Sequence, residues 1–201
     1  LCVGEQSKNL RHIFFMTEEA KKYPGPAASD KKVSLKRGAV LGAGTMGGGI
    51  AWLMADNGMA PLMKDLNPDG LALGLKQSSK NFAEALKRRK MTPEQFERKQ
   101  RSITCQLDNS GFEKIDLLIE AVVENMDVKK KVFADTEKYV RADAILTSNT
   151  SSLSVEEMSK ALEKPERFAG LHFFNPVHRM PLVEIITHSK VSPDTLKALY
   201  E

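Results

Sequence analysis

Cysteine is almost missing from this sequence: Cys2 and Cys105 stand far apart, without Cys-x-x-Cys spacing or a nearby histidine cluster. Neither a disulfide framework nor a zinc site is suggested, and a reducing compartment fits best. No run of 18 apolar residues occurs, so no membrane span is expected. The start has no basic, apolar and small-residue succession of a secretory signal. An initiating methionine is lacking too. The chain opens on Leu1 and ends at Glu201 inside a helix-like stretch, which is expected of a piece of a longer polypeptide. What remains is ordinary globular composition, 41% hydrophobic and 28% charged over 201 residues, enough for one sizeable core. The formal charge of +4 is mildly basic and says little until its distribution is known.

Residues 7 to 22 place Leu10, Ile13, Phe14 and Ala20 among charges at helical spacing, an amphipathic helix expected to pack on something else. Tyr23 to Asp30 holds two prolines and a glycine, and a domain boundary is placed near residue 30. Strands are expected at Ala39 to Leu41, from Pro61 toward Asp65, at Ile115 to Val123, at Ile145 to Thr147, at Phe168 to Phe174 and at Leu182 to Ile186. Helices fall between them: one closed by Asn57-Gly58, one over Asp127 to Val140 and one opened by Pro193. Residues 68 to 101 read as two charged helices joined near Lys90 to Pro93, with Thr92 as N-cap and Pro93 in the first turn. The alternation predicts an α/β fold: a Rossmann-like, doubly wound, mostly parallel sheet with a helical-hairpin insertion.

The first strand runs directly into Gly42-Ala43-Gly44-Thr45-Met46-Gly47. A G-x-G-x-x-G string alone is weak evidence, but here it lies between strand and helix. Gly42 permits the tight turn, Gly44 lets backbone approach a pyrophosphate, and Gly47 allows helix to pack on strand. Phosphates then meet the N–H groups of the helix start, Thr45 and Met46 among them. Asp65, 18 residues after Gly47, is the acidic partner expected to accept hydrogen bonds from the adenosine ribose, which favours NAD over NADP. A nucleoside-triphosphate P-loop is excluded, because Gly47 is followed by Gly48-Gly49-Ile50 rather than Lys-Ser/Thr.

Ser148-Asn149-Thr150-Ser151-Ser152 follows a strand and so belongs at the carboxyl edge of the sheet, where such folds bind ligands. Ser154 and Glu157 have capping-box spacing, which leaves Ser148, Asn149 and Ser151 for a ligand. His172 ends an apolar strand, and Glu184 lies twelve residues later. A return strand brings the two together: imidazole to accept a hydroxyl proton, carboxylate to fix its tautomer. Spacing alone leaves the plainer alternative open, a core histidine and an unrelated glutamate.

Together the glycine loop, Asp65, Glu120-Ala121-Val122-Val123-Glu124-Asn125, Ser148 to Ser152, and His172-Phe173-Phe174-Asn175-Pro176 through Glu184 resemble the NAD-binding domain of L-3-hydroxyacyl-CoA dehydrogenases. Lys64 to Pro68 and Met180 to Ile186 look most like the multifunctional fatty-acid oxidation proteins, in which an enoyl-CoA hydratase domain comes first. The resemblance implies that residues 1–30 are the linker helix from that domain and 31–201 the NAD-binding domain. It implies that His172 is the general base, Glu184 its orienting carboxylate, and Ser151 and Asn175 neighbours of the substrate carbonyl or nicotinamide. Glu124, Lys129 and Asn149 fall where the family contacts NAD. A C-terminal helical domain, which supplies a further asparagine, is absent from the sequence. An acyl-CoA substrate, a homo-oligomer or a complex with a thiolase subunit, and a cytoplasmic location in a bacterium or a mitochondrial or peroxisomal one in a eukaryote are implied as well.

Residues 76–101 hold nine basic side chains against three acidic ones. They read as a solvated helical surface or as a patch for coenzyme A phosphates. A nucleic-acid partner is not expected, since Phe82 and Phe96 are the segment's only aromatics and no binding motif occurs. Two further readings are a non-catalytic use of an NAD-binding fold and a dehydrogenase acting on a free β-hydroxyacid with a lysine as its catalytic group.

Overall fold

The computed structural model describes residues 4–22, 25–26 and 35–201. The boundary expected near residue 30, and Cys2, lie outside these residues. Helix α1 (Glu5–Lys22) leaves Leu10, Ile13, Phe14, Phe15 and Met16 exposed, so the amphipathic helix read from the sequence is present with its apolar side uncovered. Gly25 lies against the Tyr200 ring near the chain's end.

The rest is built on a seven-stranded sheet: β1 (Arg37–Leu41), β2 (Ala60–Lys64), β3 (Thr104–Gln106), β4 (Leu117–Glu120), β5 (Ile145–Ser148), β6 (Phe168–Phe173) and β7 (Val183–Ile186). Their spatial order is β3-β2-β1-β4-β5-β6-β7; the first six are parallel, and β7 runs antiparallel to β6. The parallel part has the doubly wound order, with its switch point between β1 and β4.

Apolar residues run together along the strands, successive side chains entering opposite layers, because each face is covered. Val40, Ile119 and Ile145 face α2 (Thr45–Asp56) and α3 (Pro68–Lys87), where Ile50, Trp52 and Phe82 fill the layer. Ala39, Leu41, Leu118 and Leu146 join the opposite core with Phe112, Phe133 and Phe168, the last two meeting edge to face at 4.9 Å. Phe133 comes from α5 (Met126–Thr136), and Val155 and Met158 of the same core from α6 (Val155–Ser159). α4 (Pro93–Arg101) completes the hairpin, its capping box closed by Thr92 and Gln95, and α7 (Pro193–Tyr200) ends the chain.

Several boundaries differ from the pattern in the sequence. The strand expected over residues 115–123 is only four residues long, because Val122 donates its N–H to the Glu120 carboxylate and turns the backbone out of the sheet. The helix expected to reach Val140 stops at Thr136 and tightens into a 3-10 turn over Glu137–Tyr139. β3, three residues long on the sheet edge, has too few residues to show a period. The capping box at Ser154 is half formed: Ser154 Oγ accepts the Glu157 N–H at 3.2 Å, but the Glu157 carboxylate turns to Lys160 and Lys130 instead.

The glycine loop is under the tightest steric demand. Gly42 has φ +89°, and a Cβ on Gly47 would collide with the Gly42 carbonyl oxygen. Gly47→Ala is therefore expected to lower stability by about 1–3 kcal/mol, since backbone must shift to admit one methyl group. Denaturant unfolding of the variant beside its parent measures this.

Candidate active site

Chain direction collects the polar residues at one place. The segments leaving the carboxyl ends of β1, β2, β4, β5 and β6 carry, in turn, the glycine loop, Asp65, Glu124, the serine-rich stretch and His172 with Asn175. Between them lies a cavity of about 320 Å³, lined among others by Met46, Glu124, Lys129, Asn149, Ser151, His172 and Asn175.

On the β1 side, α2 begins at Gly44, around which a Cβ would meet nothing. The first N–H groups of α2 lack helical acceptors, the feature that lets a helix start bind an anion such as pyrophosphate. Asp65 folds over the loop rather than standing free. Its Oδ2 accepts the Ala43 N–H at 2.8 Å and its Oδ1 the Leu66 N–H at 2.7 Å. Oδ1 also accepts the Asn67 N–H at 3.4 Å, so Oδ2 is the oxygen with a lone pair to spare, while the Ala43 bond ties the acid to the glycine turn.

On the β6 side the antiparallel register pairs His172 directly with Glu184. His172 Nδ1 lies 2.8 Å from Glu184 Oε2, and the Phe174 ring packs 4.6 Å from the imidazole. With the Nδ1 proton donated to carboxylate, Nε2 is the ring's free acceptor. Glu184 is not among the residues that line the cavity.

The central network was only partly legible. Glu120, fully buried at the end of β4, accepts from Lys129 Nζ at 2.6 Å and Val122 N at 2.7 Å on Oε1, and from Ser148 Oγ at 2.6 Å on Oε2. Lys129 is 1% exposed and spends its remaining N–H groups on Glu124 Oε2 at 3.2 Å and the Val122 carbonyl at 3.4 Å. Ser148, expected to be available to a ligand, is instead buried and committed to Glu120. Asn149 Oδ1 accepts the Phe173 N–H at 2.9 Å, which joins the loop to β6 and leaves the amide nitrogen without that partner on a residue that lines the cavity. Of the three loop residues expected to be free, Ser151 alone keeps an uncommitted side chain on the cavity wall. Glu120 was visible only as a carboxylate inside an apolar strand.

Glu124 is held by Thr150 Oγ1 at 2.5 Å and by Ser151 N at 3.2 Å. Burial alone would push its carboxyl up; the Thr150 hydroxyl, Lys129 and the Ser151 N–H outweigh that and hold it below the usual carboxylate value.

The basic hairpin does not face this cavity as one patch. Arg88, Lys99 and Arg101 are paired with Glu84, Asp56 and Glu97. A larger surface cleft of about 460 Å³ containing Arg98 and Lys99 sits at the C-terminus of α2 and the start of β2, the opposite edge of the sheet. Among the described residues, no helix is long and apolar enough to cross a membrane.

A family model described as the NAD binding domain of 3-hydroxyacyl-CoA dehydrogenase matches residues 38–201. The fatty acid oxidation complex subunit alpha of Idiomarina loihiensis is 46% identical over 181 residues, 90% of this chain and 25% of that protein. The chain thus spans about a quarter of the length of this curated relative. Among solved structures, 3-hydroxybutyryl-CoA dehydrogenase from Escherichia coli K12 is 34% identical with a TM-score of 0.80, over 83% of this chain and 35% of that one. The dehydrogenase part of multifunctional enzyme 1 from C. elegans is 25% identical with a TM-score of 0.77, over 92% of this chain and 44% of that one.

Because its folded-state value is depressed, Glu124 contributes stability above its unfolded pKa and loses it as pH falls through the folded one. Thr150→Val removes the hydroxyl donor, so the Glu124 carboxyl should rise toward the ordinary range and acid unfolding should begin at higher pH. Carboxyl NMR titration and acid denaturation of variant and parent check both effects.

Proposed function

The chain belongs to the 3-hydroxyacyl-CoA dehydrogenase family as its NAD-binding domain, and from that premise we propose that it houses the oxidation of an L-3-hydroxyacyl-CoA to the 3-ketoacyl-CoA within a larger fatty-acid oxidation protein. The observation that carries this reading is the His172–Glu184 pair at the wall of a cavity shared with the glycine-loop helix. Two groups must leave one carbinol, a proton from oxygen and a hydride from carbon. Bound NAD supplies the hydride acceptor.

The protein's own residues handle the rest. His172 Nε2 accepts the hydroxyl proton while Glu184, on Nδ1, steadies the imidazolium that results. Ser151 and Asn175, which both line the cavity, donate to the oxygen as it becomes a carbonyl. Gly42, Gly44 and Gly47 open the loop for the pyrophosphate, with Thr45 and Met46 in the first helical turn. Asp65 takes the adenosine ribose, where its charge disfavours a 2′-phosphate. Glu124 and Asn149 border the nicotinamide end, and Lys129 acts through Glu124 rather than by reaching the cofactor, because its donors are already used.

Residues 1–30 are read as the linker from a hydratase-like domain and 31–201 as the dehydrogenase's NAD-binding domain. The acyl-CoA substrate and a thiolase-type partner subunit belong to the same reading, with the bacterial cytoplasm as the compartment.

In the complete protein, His172→Ala is expected to reduce acetoacetyl-CoA-dependent oxidation of NADH by about two to four orders of magnitude, with NADH binding retained. Loss of NADH absorbance gives the rate and calorimetry the affinity. Parent-like turnover by the alanine variant would overturn the general-base assignment.

A further inference from the structure

Beneath the serine-rich loop, Glu124 and Lys129 line the cavity and Glu120 lies buried behind Lys129. Glu120 and Lys129 are buried at 0% and 1% exposure and lie 2.6 Å apart, while Glu124, 3.2 Å from the same ammonium, is 40% exposed and borders the cavity. Lys129 is the one lysine or arginine among the described lining residues, and all three of its N–H groups are directed at Glu120, Glu124 and the Val122 carbonyl. One positive charge therefore answers two negative ones. Ser148 and the Val122 N–H stabilise the charge on Glu120 without cancelling it, and Thr150 and the Ser151 N–H do the same for Glu124.

This excess lies where one redox form of the cofactor carries charge. Proton and hydride leave the same carbinol, so a nicotinamide working with His172 must lie in the cavity that His172 and Glu124 both line. Its ring is a pyridinium cation when oxidised and neutral when reduced. Charges buried in protein are weakly screened by salt and act over several ångströms.

We propose that Glu120, Lys129 and Glu124 form one electrostatic unit of net charge −1 that tightens binding of NAD⁺ relative to NADH, beyond what a neutral wall of the same shape provides. The proposal rests on the dinucleotide reading above. By linkage, the same charge makes protein-bound NADH a stronger hydride donor than it would be beside a neutral wall of the same shape. Glu120 is a positioning residue here, because its side chain ends on Lys129, Val122 and Ser148 rather than in the cavity.

The test is equilibrium calorimetry on the intact protein, titrated separately with NAD⁺ and NADH, for the parent, Glu124→Gln and Glu120→Gln. Both substitutions keep side-chain shape and remove one negative charge. The ratio Kd(NAD⁺)/Kd(NADH) is expected to rise roughly three- to tenfold in Glu124→Gln, the size of effect one charge exerts at such range. Glu120→Gln should move it the same way by less. A merely structural role would weaken both forms alike, and an unchanged ratio in Glu124→Gln overturns the proposal even if Glu120→Gln does not fold. Failure of the parent to bind either dinucleotide overturns the cofactor reading and this proposal with it. A parent that binds both, alongside variants of unaltered ratio, overturns the proposal alone.

Discussion

A carboxylate with no access to water holds the centre of this structure together. Transfer of an ionised group from water to protein interior costs several kcal/mol unless nearly every lone pair finds a donor. Glu120 meets that demand from three directions: Lys129 on α5, Val122 in the turn after β4, and Ser148 at the end of β5. Each donor belongs to a segment that also borders the cavity. The constraint that keeps Glu120 satisfied therefore also fixes where β4 ends, how α5 approaches the sheet and how the serine-rich loop departs from it. Glu124, Thr150 and Asn149 extend this chain of bonds as far as Phe173, next to His172.

The sheet supplies the other half of the geometry. Six parallel strands deliver their carboxyl ends to one edge, and the switch between β1 and β4 opens that edge into a cleft with a helix N-terminus on one wall. Parallel strands alone would have left His172 without its carboxylate. β7 turns back along β6, and antiparallel register sets Glu184 opposite His172, so backbone pairing rather than side-chain packing assembles the dyad. The same edge thus offers a cationic helix start to phosphates and a net negative wall to the far end of a bound dinucleotide.

Local chemistry made much of this readable in advance. Gly42 is required by the positive φ of the turn and Gly47 by the Gly42 carbonyl five residues before it, and Thr92 with Gln95 by a helix-capping pattern of fixed spacing. Strands β1, β4, β5 and β6 announced themselves because both faces are buried and apolar residues run together. β3 stayed hidden because an edge strand of three residues shows no period, and the end of β4 was misjudged because nothing local says that Val122 will bond to a side chain.

By itself, the sequence determined most of the order of elements and the glycine loop between strand and helix, since each depends on local steric or periodic rules, and its motifs singled out candidate site residues. Tertiary structure decided which of those side chains are free to act. It turned Ser148 inward to a buried acid, spent the donors of Lys129 on two carboxylates, bound Asp65 to the glycine loop and left Ser151 facing the cavity. The physical reason is that a buried polar group must find its partners among residues distant in the chain, and only the folded arrangement settles which partners those are.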